Sequence, residues 1–127
     1  MAEYVASLEM SAFVLDYDHN AYDPDYLLAT HEPFFRTVRE KNPQLPILMM
    51  SAPIVKRNAS WQRRYEIIKR TYENALAAGD KNVYFIDGAS PLSEVGTDYF
   101  VDGIHPSDLG YYLMAKAVAE ALRSVLK

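Results

Sequence analysis

The stretch Pro46-Ile47-Leu48-Met49-Met50-Ser51 gives the strongest indication of the fold. Its apolar residues run without interruption and stop at a serine, which is typical of a strand buried on both faces of a parallel sheet. Two other short runs share this character, one earlier and one later in the chain: Ala12-Phe13-Val14-Leu15-Asp16-Tyr17 and Asn82-Val83-Tyr84-Phe85-Ile86-Asp87. The sequence therefore predicts three buried parallel strands.

Helical patterns separate these runs. Asp23-Pro24-Asp25 is typical of a helix start, with a capping carboxylate followed by proline at the first helical position. This helix is expected to reach Asn42-Pro43, with a break or kink at Pro33. A second helix is predicted over 60–78 with Gly79 as its C-terminal cap. Its inner face is predicted to carry Tyr65, Ile68, Tyr72 and Leu76.

The last helix is predicted to begin at Pro106. Five apolar residues are expected on its inner face: Leu109, Leu113, Val118, Leu122 and Val125. The resulting β-α-β-α-β-α order predicts one α/β domain over residues 1–127, a three-layer α/β/α arrangement around about three parallel strands. Ligands of such sheets bind beyond the carboxyl ends of the strands, so the residues that follow each run are the ones to consider.

Composition narrows the function classes. The chain has 127 residues, half of them hydrophobic, which suits a single folded domain. It contains no cysteine, which excludes disulfides, thiolate metal sites and a cysteine nucleophile. The net charge of −4 argues against a general nucleic-acid binder. No apolar run approaches the roughly 18 residues of a membrane span. We predict no cofactor and no metal site, and the sequence leaves the cellular compartment open.

The segment Asp102-Gly103-Ile104-His105-Pro106 carries the clearest chemistry. An acid and a base stand three residues apart in a loop that opens a helix. Such a loop can place the Asp102 carboxylate against one ring nitrogen of His105 and leave the other nitrogen to take a proton from a hydroxyl. The alternative is an aspartate that caps a turn beside a histidine at a helix start.

A second segment, Asp16-Tyr17-Asp18-His19-Asn20, follows the first predicted strand. The side-chain amide of Asn20 can donate an N–H to a developing oxyanion. Its alternative role is that of an ordinary turn residue.

Together the two segments resemble sequence blocks of the SGNH (GDSL-type) esterases and acyl hydrolases. Asp102 to Pro106, ahead of an amphipathic helix, is similar to the last block of that family. The segment from Val14 to Ala21 is similar to the block after the family's third strand, with Asn20 at the oxyanion asparagine, although the more usual Gly-x-Asn-Asp form is absent. The resemblance covers nearly the whole chain and corresponds to the C-terminal portion of a family member.

The resemblance implies hydrolysis of a carboxylic or acetyl ester by a Ser-His-Asp mechanism. His105 would be the general base, Asp102 its orienting acid and Asn20 an oxyanion donor. The substrate would be a small ester or an acylated carbohydrate. No serine here matches the family's nucleophile block, so we expect the isolated chain to be incomplete. Ser51, after the second strand, is a weak candidate nucleophile that we interpret as structural.

The same resemblance implies a sheet of about five strands, of which this chain supplies three. The strand at 12–17 would then lie at a free edge, and exposed apolar edges seek partners. We therefore expect a homo-oligomer through this edge. A catalytically inactive oligomeric or binding module of the same fold is the alternative function.

The residues after the first predicted strand also allow a different enzyme class. Asp16 and Asp18 after a strand resemble the Asp-x-Asp motif of haloacid-dehalogenase-type phosphatases, which use Mg²⁺. Six basic residues between positions 56 and 70 are predicted to form a solvated helix face: Lys56, Arg57, Arg63, Arg64, Lys69 and Arg70.

Overall fold

The computed structural model describes residues 1–93, 95 and 99–126. Over these residues the elements follow each other in this order: α1 (Ala2–Ala6), β1 (Phe13–Leu15), α2 (Pro24–Lys41), β2 (Ile47–Met50), α3 (Ala59–Ala77), β3 (Val83–Ile86), a 3₁₀ turn (Ser90–Leu92) and α4 (Asp108–Val125). The three strands form one sheet in the order β1-β2-β3, and both pairs are parallel. The predicted α/β class with three parallel strands is confirmed.

The register of the sheet explains why the three runs are so apolar. Phe13 pairs with Ile47, and Ile47 pairs with Val83, so these side chains lie side by side on one face. With Leu15 and Met49 they pack against α2 and α3 in the main core. The alternate residues Leu48 and Met50 are buried as well, so β2 is covered on both faces.

The caps of α2 and α3 are those that the sequence indicates. The carboxylate of Asp23 accepts the backbone N–H of Tyr26 at 2.7 Å, and Pro24 is the first helical residue. Gly79 follows α3 with a φ of 89°, a conformation that glycine adopts without strain. The predicted break at Pro33 is wrong: α2 continues through this exposed position to Lys41. One missing backbone N–H is tolerated there because tertiary packing holds the helix on both sides.

Other predicted details are also corrected. The buried face of α3 consists of Arg64, Ile67, Ile68, Thr71 and Ala75, whereas Leu76 is exposed.

The last helix begins at Asp108 with Ser107 as its N-cap, two residues later than predicted. Leu109 is exposed, because α4 contacts mainly the 3₁₀ turn and β3. The short helix α1, which packs on α2, was not predicted.

Candidate active site

The loop before α4 brings Asp102 and His105 into contact. Nδ1 of His105 lies 2.6 Å from Oδ2 of Asp102. The other carboxylate oxygen, Oδ1, accepts the backbone N–H groups of His105 at 2.8 Å and Ile104 at 3.0 Å. These bonds lower the pKa of Asp102, first through the backbone N–H of His105 and then through its side chain, so the carboxyl stays ionised. The imidazole is therefore oriented through Nδ1, and Nε2 is the nitrogen left to exchange a proton.

Backbone contacts close this loop into a compact unit. Phe100 and Pro106 form an antiparallel bridge, and the N–H of Val101 donates to the carbonyl of His105 at 3.0 Å. Gly103, with a φ of 84°, makes the turn that lets the chain double back between Asp102 and His105. The His105 side chain keeps 70% of its surface exposed, so the loop holds the ring from one side only. A fixed backbone and an accessible ring are what proton transfer to a bound molecule requires.

Asn20 lies in a tight turn just beyond β1. Its backbone N–H donates to the carbonyl of Tyr17 at 3.0 Å, and the N–H of Ala21 donates to the same carbonyl at 2.9 Å. Asn20 itself is exposed. Within the described residues its side-chain amide has no hydrogen-bond partner, so it is available to an external acceptor.

A buried ion pair supports this turn. Arg64 of α3 is 7% exposed and Asp18 is 2% exposed. Nη1 of Arg64 lies 3.2 Å from Oδ1 of Asp18, and the Asp18 Oδ2 accepts the N–H of Ala52 at 2.9 Å. The interpretation of Arg64 as part of a solvated basic face is therefore wrong. Its partner lies 46 positions away, so helix periodicity alone gave no signal for this contact.

His19 lies between Asp18 and Asn20 in the turn after β1. Its ring meets the ring of Trp61 edge to face, with centroids 5.0 Å apart. Burial lowers the pKa of His19, and the positive charges of Arg64 and His105 lower it further against the opposing effect of Asp18. The charge of His105 thus acts on His19, the neighbour of Asn20.

The sequence of this chain matches a known protein family. The family model for the GDSL-like lipase/acylhydrolase family matches residues 1–123. The chain belongs to this family. Comparison with curated proteins gives no match.

Three solved structures share the fold of this GDSL-like chain. A Bacteroides ovatus protein named as a GDSL-like lipase is 30% identical, with a TM-score of 0.84 over 98% of this chain. The salicylyl-acyltransferase SsfX3 of a tetracycline biosynthetic pathway is 20% identical, with a TM-score of 0.75 over 98% of this chain. A family two carbohydrate esterase from Clostridium thermocellum is 16% identical, with a TM-score of 0.73 over 95%. The chain spans 39%, 41% and 37% of these three proteins, respectively.

Ser51 is buried at the end of β2 in this GDSL-like fold. It is 1% exposed, its hydroxyl donates to Asp87 at 3.4 Å, and its Oγ accepts the N–H of Gly88 at 3.1 Å. Gly88 approaches so closely that a Cβ there would collide with the carbonyl of Ser51. Arg57 also pairs with Asp87, so this residue of the basic cluster is a second one that is not simply solvated. The contacts of Ser51 therefore join the ends of β2 and β3.

The phosphatase alternative does not agree with the family or with the contacts of Asp18. Both carboxylate oxygens of Asp18 are engaged, by Arg64 and by the N–H of Ala52. A buried carboxylate held in this way is not placed to share Mg²⁺ with Asp16. Across the described residues, no three His, Cys, Asp or Glu side chains converge as a metal site would need. No helix among them is long and apolar enough to cross a membrane.

Proposed function

We propose that this chain carries the general base and an oxyanion donor of a GDSL-like ester hydrolase. The observation that supports the proposal best is the 2.6 Å contact between Nδ1 of His105 and the Asp102 carboxylate, on a ring that remains accessible. Family membership supports the reaction class, and the geometry of the loop supports the roles of Asp102 and His105. Asn20 adds a side-chain amide, without a partner among the described residues, in the turn that follows β1.

In the proposed reaction, a serine hydroxyl attacks the carbonyl carbon of the ester and passes its proton to Nε2 of His105. Asp102 holds the imidazole by Nδ1 and stabilises its cationic form. The carbonyl oxygen becomes an oxyanion that accepts an N–H of Asn20. The tetrahedral intermediate then collapses, and His105 returns the proton to the departing alcohol. Water repeats the sequence on the acyl-serine and releases the carboxylic acid.

We infer that the nucleophilic serine comes from polypeptide outside these 127 residues. Two observations favour this view. No serine of the sequence stands in a block like the family's nucleophile, and Ser51 is buried in contacts to Asp87 and Gly88. The isolated chain would then hold an oriented base without its nucleophile.

The proposed substrate carries a small acyl group, such as acetyl on a carbohydrate, and the carbohydrate is the departing alcohol. A carbohydrate esterase stands among the structures of the same fold, which supports an acylated sugar as substrate. Neither a cofactor nor a nucleic-acid partner forms part of this proposal.

Turnover of 4-nitrophenyl acetate by the purified chain tests the proposal, alongside His105→Ala and Asp102→Ala. Asp108→Ala is the matched control, since Asp108 is an exposed acid in the first turn of α4. A fluorophosphonate probe, which labels activated serines, is applied in parallel. We expect background hydrolysis and no labelling from the chain alone. With a separately expressed N-terminal portion of the Bacteroides ovatus protein, we expect hydrolysis that both site variants abolish and Asp108→Ala retains. Equal hydrolysis by the mixture with and without His105 would contradict the role of the histidine.

An inactive oligomeric module is the second proposed function, and the free edge of β1 favours it. β1 pairs only with β2 among the described strands, and its other side borders a groove of about 610 Å³. Val5, Phe13, Leu15 and Phe34 contribute apolar side chains to this groove. Light scattering over a concentration series tests it. A mass of two or more chains is expected, and a constant monomer mass would contradict it.

A further inference from the structure

We propose that Arg64 is a positioning residue for Asn20: it holds the backbone on both sides of Asn20 and so fixes where the Asn20 amide lies. The inference rests on the proposed function, since it takes Asn20 as the oxyanion donor. Arg64 is 7% exposed, and its proposed action is through the turn.

The guanidinium of Arg64 spans the turn. Its Nη1 donates to the carbonyl of Asp18 at 2.6 Å, and its Nη2 donates to the carbonyl of Ala21 at 3.0 Å. These two carbonyls lie on either side of His19 and Asn20 in the sequence. A planar fork with two separate nitrogens can hold both carbonyls at once, whereas a lysine ammonium is a single point donor. Residues 18 and 21 are therefore kept at a fixed separation by one side chain.

The Asp18 carboxylate extends this support to the sheet. Its Oδ1 pairs with Arg64 and its Oδ2 accepts the N–H of Ala52, which follows β2. The turn after β1 is thus anchored to α3 and to the neighbouring strand end. The guanidinium also lies over the ring of Trp61, 5.1 Å from its centroid, which restricts its movement.

Stability alone is a poor explanation for this arrangement. Desolvating two charges offsets most of their attraction, so a buried ion pair adds little net stability compared with apolar packing. Geometry is a better explanation, because an oxyanion donor must be held within about 0.5 Å of its productive position. The bonds of Arg64 hold the backbone around Asn20 in this way. The side-chain amide of Asn20 has no partner of its own within the described part of the chain.

Three variants test the proposal in the 127-residue chain. Arg64→Lys keeps the charge for Asp18 but cannot bond both carbonyls. Arg64→Met removes the fork entirely. Arg63→Met is the matched control, because Arg63 is the preceding residue of α3 and its ion-pair partner among the described residues is the exposed Asp25. Thermal unfolding establishes that each variant is folded.

The decisive measurement is the ¹H–¹⁵N spectrum of the side-chain amides. The Asn20 pair is assigned by its loss in Asn20→Ala, and the Asn42 pair serves as an internal reference because it bonds to the carbonyls of Ala6 and Val38. We expect the Asn20 signals to shift or broaden in Arg64→Lys while those of Asn42 stay in place. Arg63→Met should leave both unchanged.

The outcomes separate this inference from the proposed function. Unmoved Asn20 signals in folded Arg64→Lys would overturn the positioning role, whatever the enzyme does. In the complemented assay with 4-nitrophenyl acetate, we expect Arg64→Lys to lower kcat about 10-fold to 100-fold with KM changed less than about twofold. A third outcome combines displaced Asn20 signals in Arg64→Lys with no hydrolysis in the wild-type mixture. This outcome would overturn the proposed function and retain the positioning role. A variant that loses only thermal stability, with Asn20 signals and kcat unchanged, would make Arg64 merely structural.

Discussion

Both carboxylate oxygens of Asp102 contact His105. Oδ2 lies 2.6 Å from the ring Nδ1, and Oδ1 accepts the backbone N–H of His105 at 2.8 Å. One carboxylate therefore sets both the backbone and the ring of the histidine. Because Asp102 stays ionised, it can only accept at Nδ1, so the neutral ring must carry its proton there.

The first prediction concerns this tautomer. In ¹⁵N spectra of the neutral ring, His105 should carry its proton at Nδ1 and have no proton at Nε2. Asp102→Ala should shift the population toward the Nε2-protonated form, while Asp108→Ala should not. A wild-type ring protonated mainly at Nε2 would contradict the orientation that the proposed mechanism requires. If hydrolysis is reconstituted, Asp102→Asn should slow it by about 10³-fold to 10⁴-fold, since the amide favours the wrong tautomer.

The second prediction separates a structural serine from a nucleophile. Ser51→Ala leaves the buried N–H of Gly88 without its acceptor and should lower the free energy of unfolding by about 1–3 kcal/mol. Urea unfolding measures this loss. Ser93→Ala, which removes an exposed hydroxyl bonded to the carbonyl of Ser90, should cost less than about 0.5 kcal/mol. Reconstituted hydrolysis should survive Ser51→Ala. Abolished hydrolysis with unchanged stability would instead make Ser51 the nucleophile.

The third prediction uses a buried histidine between α2 and α3. His31 is 1% exposed, and its Nδ1 lies 3.0 Å from the hydroxyl of Thr71. That hydroxyl donates to the carbonyl of Ile67 at 3.2 Å, so His31 must donate its Nδ1 proton to the Thr71 oxygen. Burial lowers the pKa of His31 to about 4.

Acid should therefore destabilise the fold through His31. The unfolded chain takes up a proton near pH 6.5 and the folded chain only near 4, so stability is full above 6.5 and falls as the pH drops toward 4. The loss attributable to this group is at most about 3 kcal/mol. Denaturation at several pH values measures it, and His31→Gln should flatten the slope between pH 4 and 6.5. An identical slope in His31→Gln would assign the acid sensitivity to other groups.

Local chemistry explains which parts of the fold were predictable. The strands are short runs with no polar interruption in their buried centres, and the starts and ends of α2 and α3 are specified by neighbouring residues such as Asp23 and Gly79. The contact between Asp102 and His105 is also local, three residues apart, so its geometry follows from a glycine turn. These features depend on few distant contacts.

The remaining features depend on tertiary partners. Arg64 looks like a surface cation in any helix pattern, and only the turn after β1 supplies the partners that bury it. The inner face of α3 differs from the predicted one. Hydrophobic periodicity expects apolar residues on a buried face, but Arg64 and Thr71 lie there. Leu109 was expected inward, yet no described element covers it.

The fourth prediction concerns Asp16 at the end of β1. Asp16 borders the apolar groove beside the free edge. Partial desolvation raises the pKa of its carboxyl to about 6, and the charge of Asp18 adds to the effect. The folded chain thus binds a proton that the unfolded chain releases near pH 3.8, so this group makes stability fall as the pH rises from 3.8 to 6.

Asp16→Asn should remove this penalty. At pH 7 the variant should be more stable than the wild type by about 0.5 kcal/mol, a small gain because the side chain remains partly in water. At pH 4 the difference should nearly vanish. Asp25→Asn is the contrasting control, since it breaks the ion pair with Arg63 and should slightly lower stability at pH 7. A variant that is less stable than the wild type at pH 7 would refute the assigned shift.

The fifth prediction tests the free edge of β1 by its hydrogen-bond pattern. The N–H of Phe13 donates to the carbonyl of Pro46, toward β2. Because successive residues of a strand direct their N–H groups to opposite sides, that of Val14 faces the free edge. Val14→Pro therefore removes one donor from the edge and leaves the pairing with β2 intact, the position at which sheets tolerate proline.

If association occurs through this edge, Val14→Pro should convert the oligomer to a folded monomer and raise the dissociation constant at least about tenfold. Sedimentation velocity measures the mass, and circular dichroism shows that the helices persist. Phe13→Pro is the matched variant, because it removes the bond to Pro46 and should destabilise the fold itself. An oligomer that is unaffected by Val14→Pro must use another surface, for which the exposed side chains of α4, such as Tyr111 and Tyr112, would be the next to substitute.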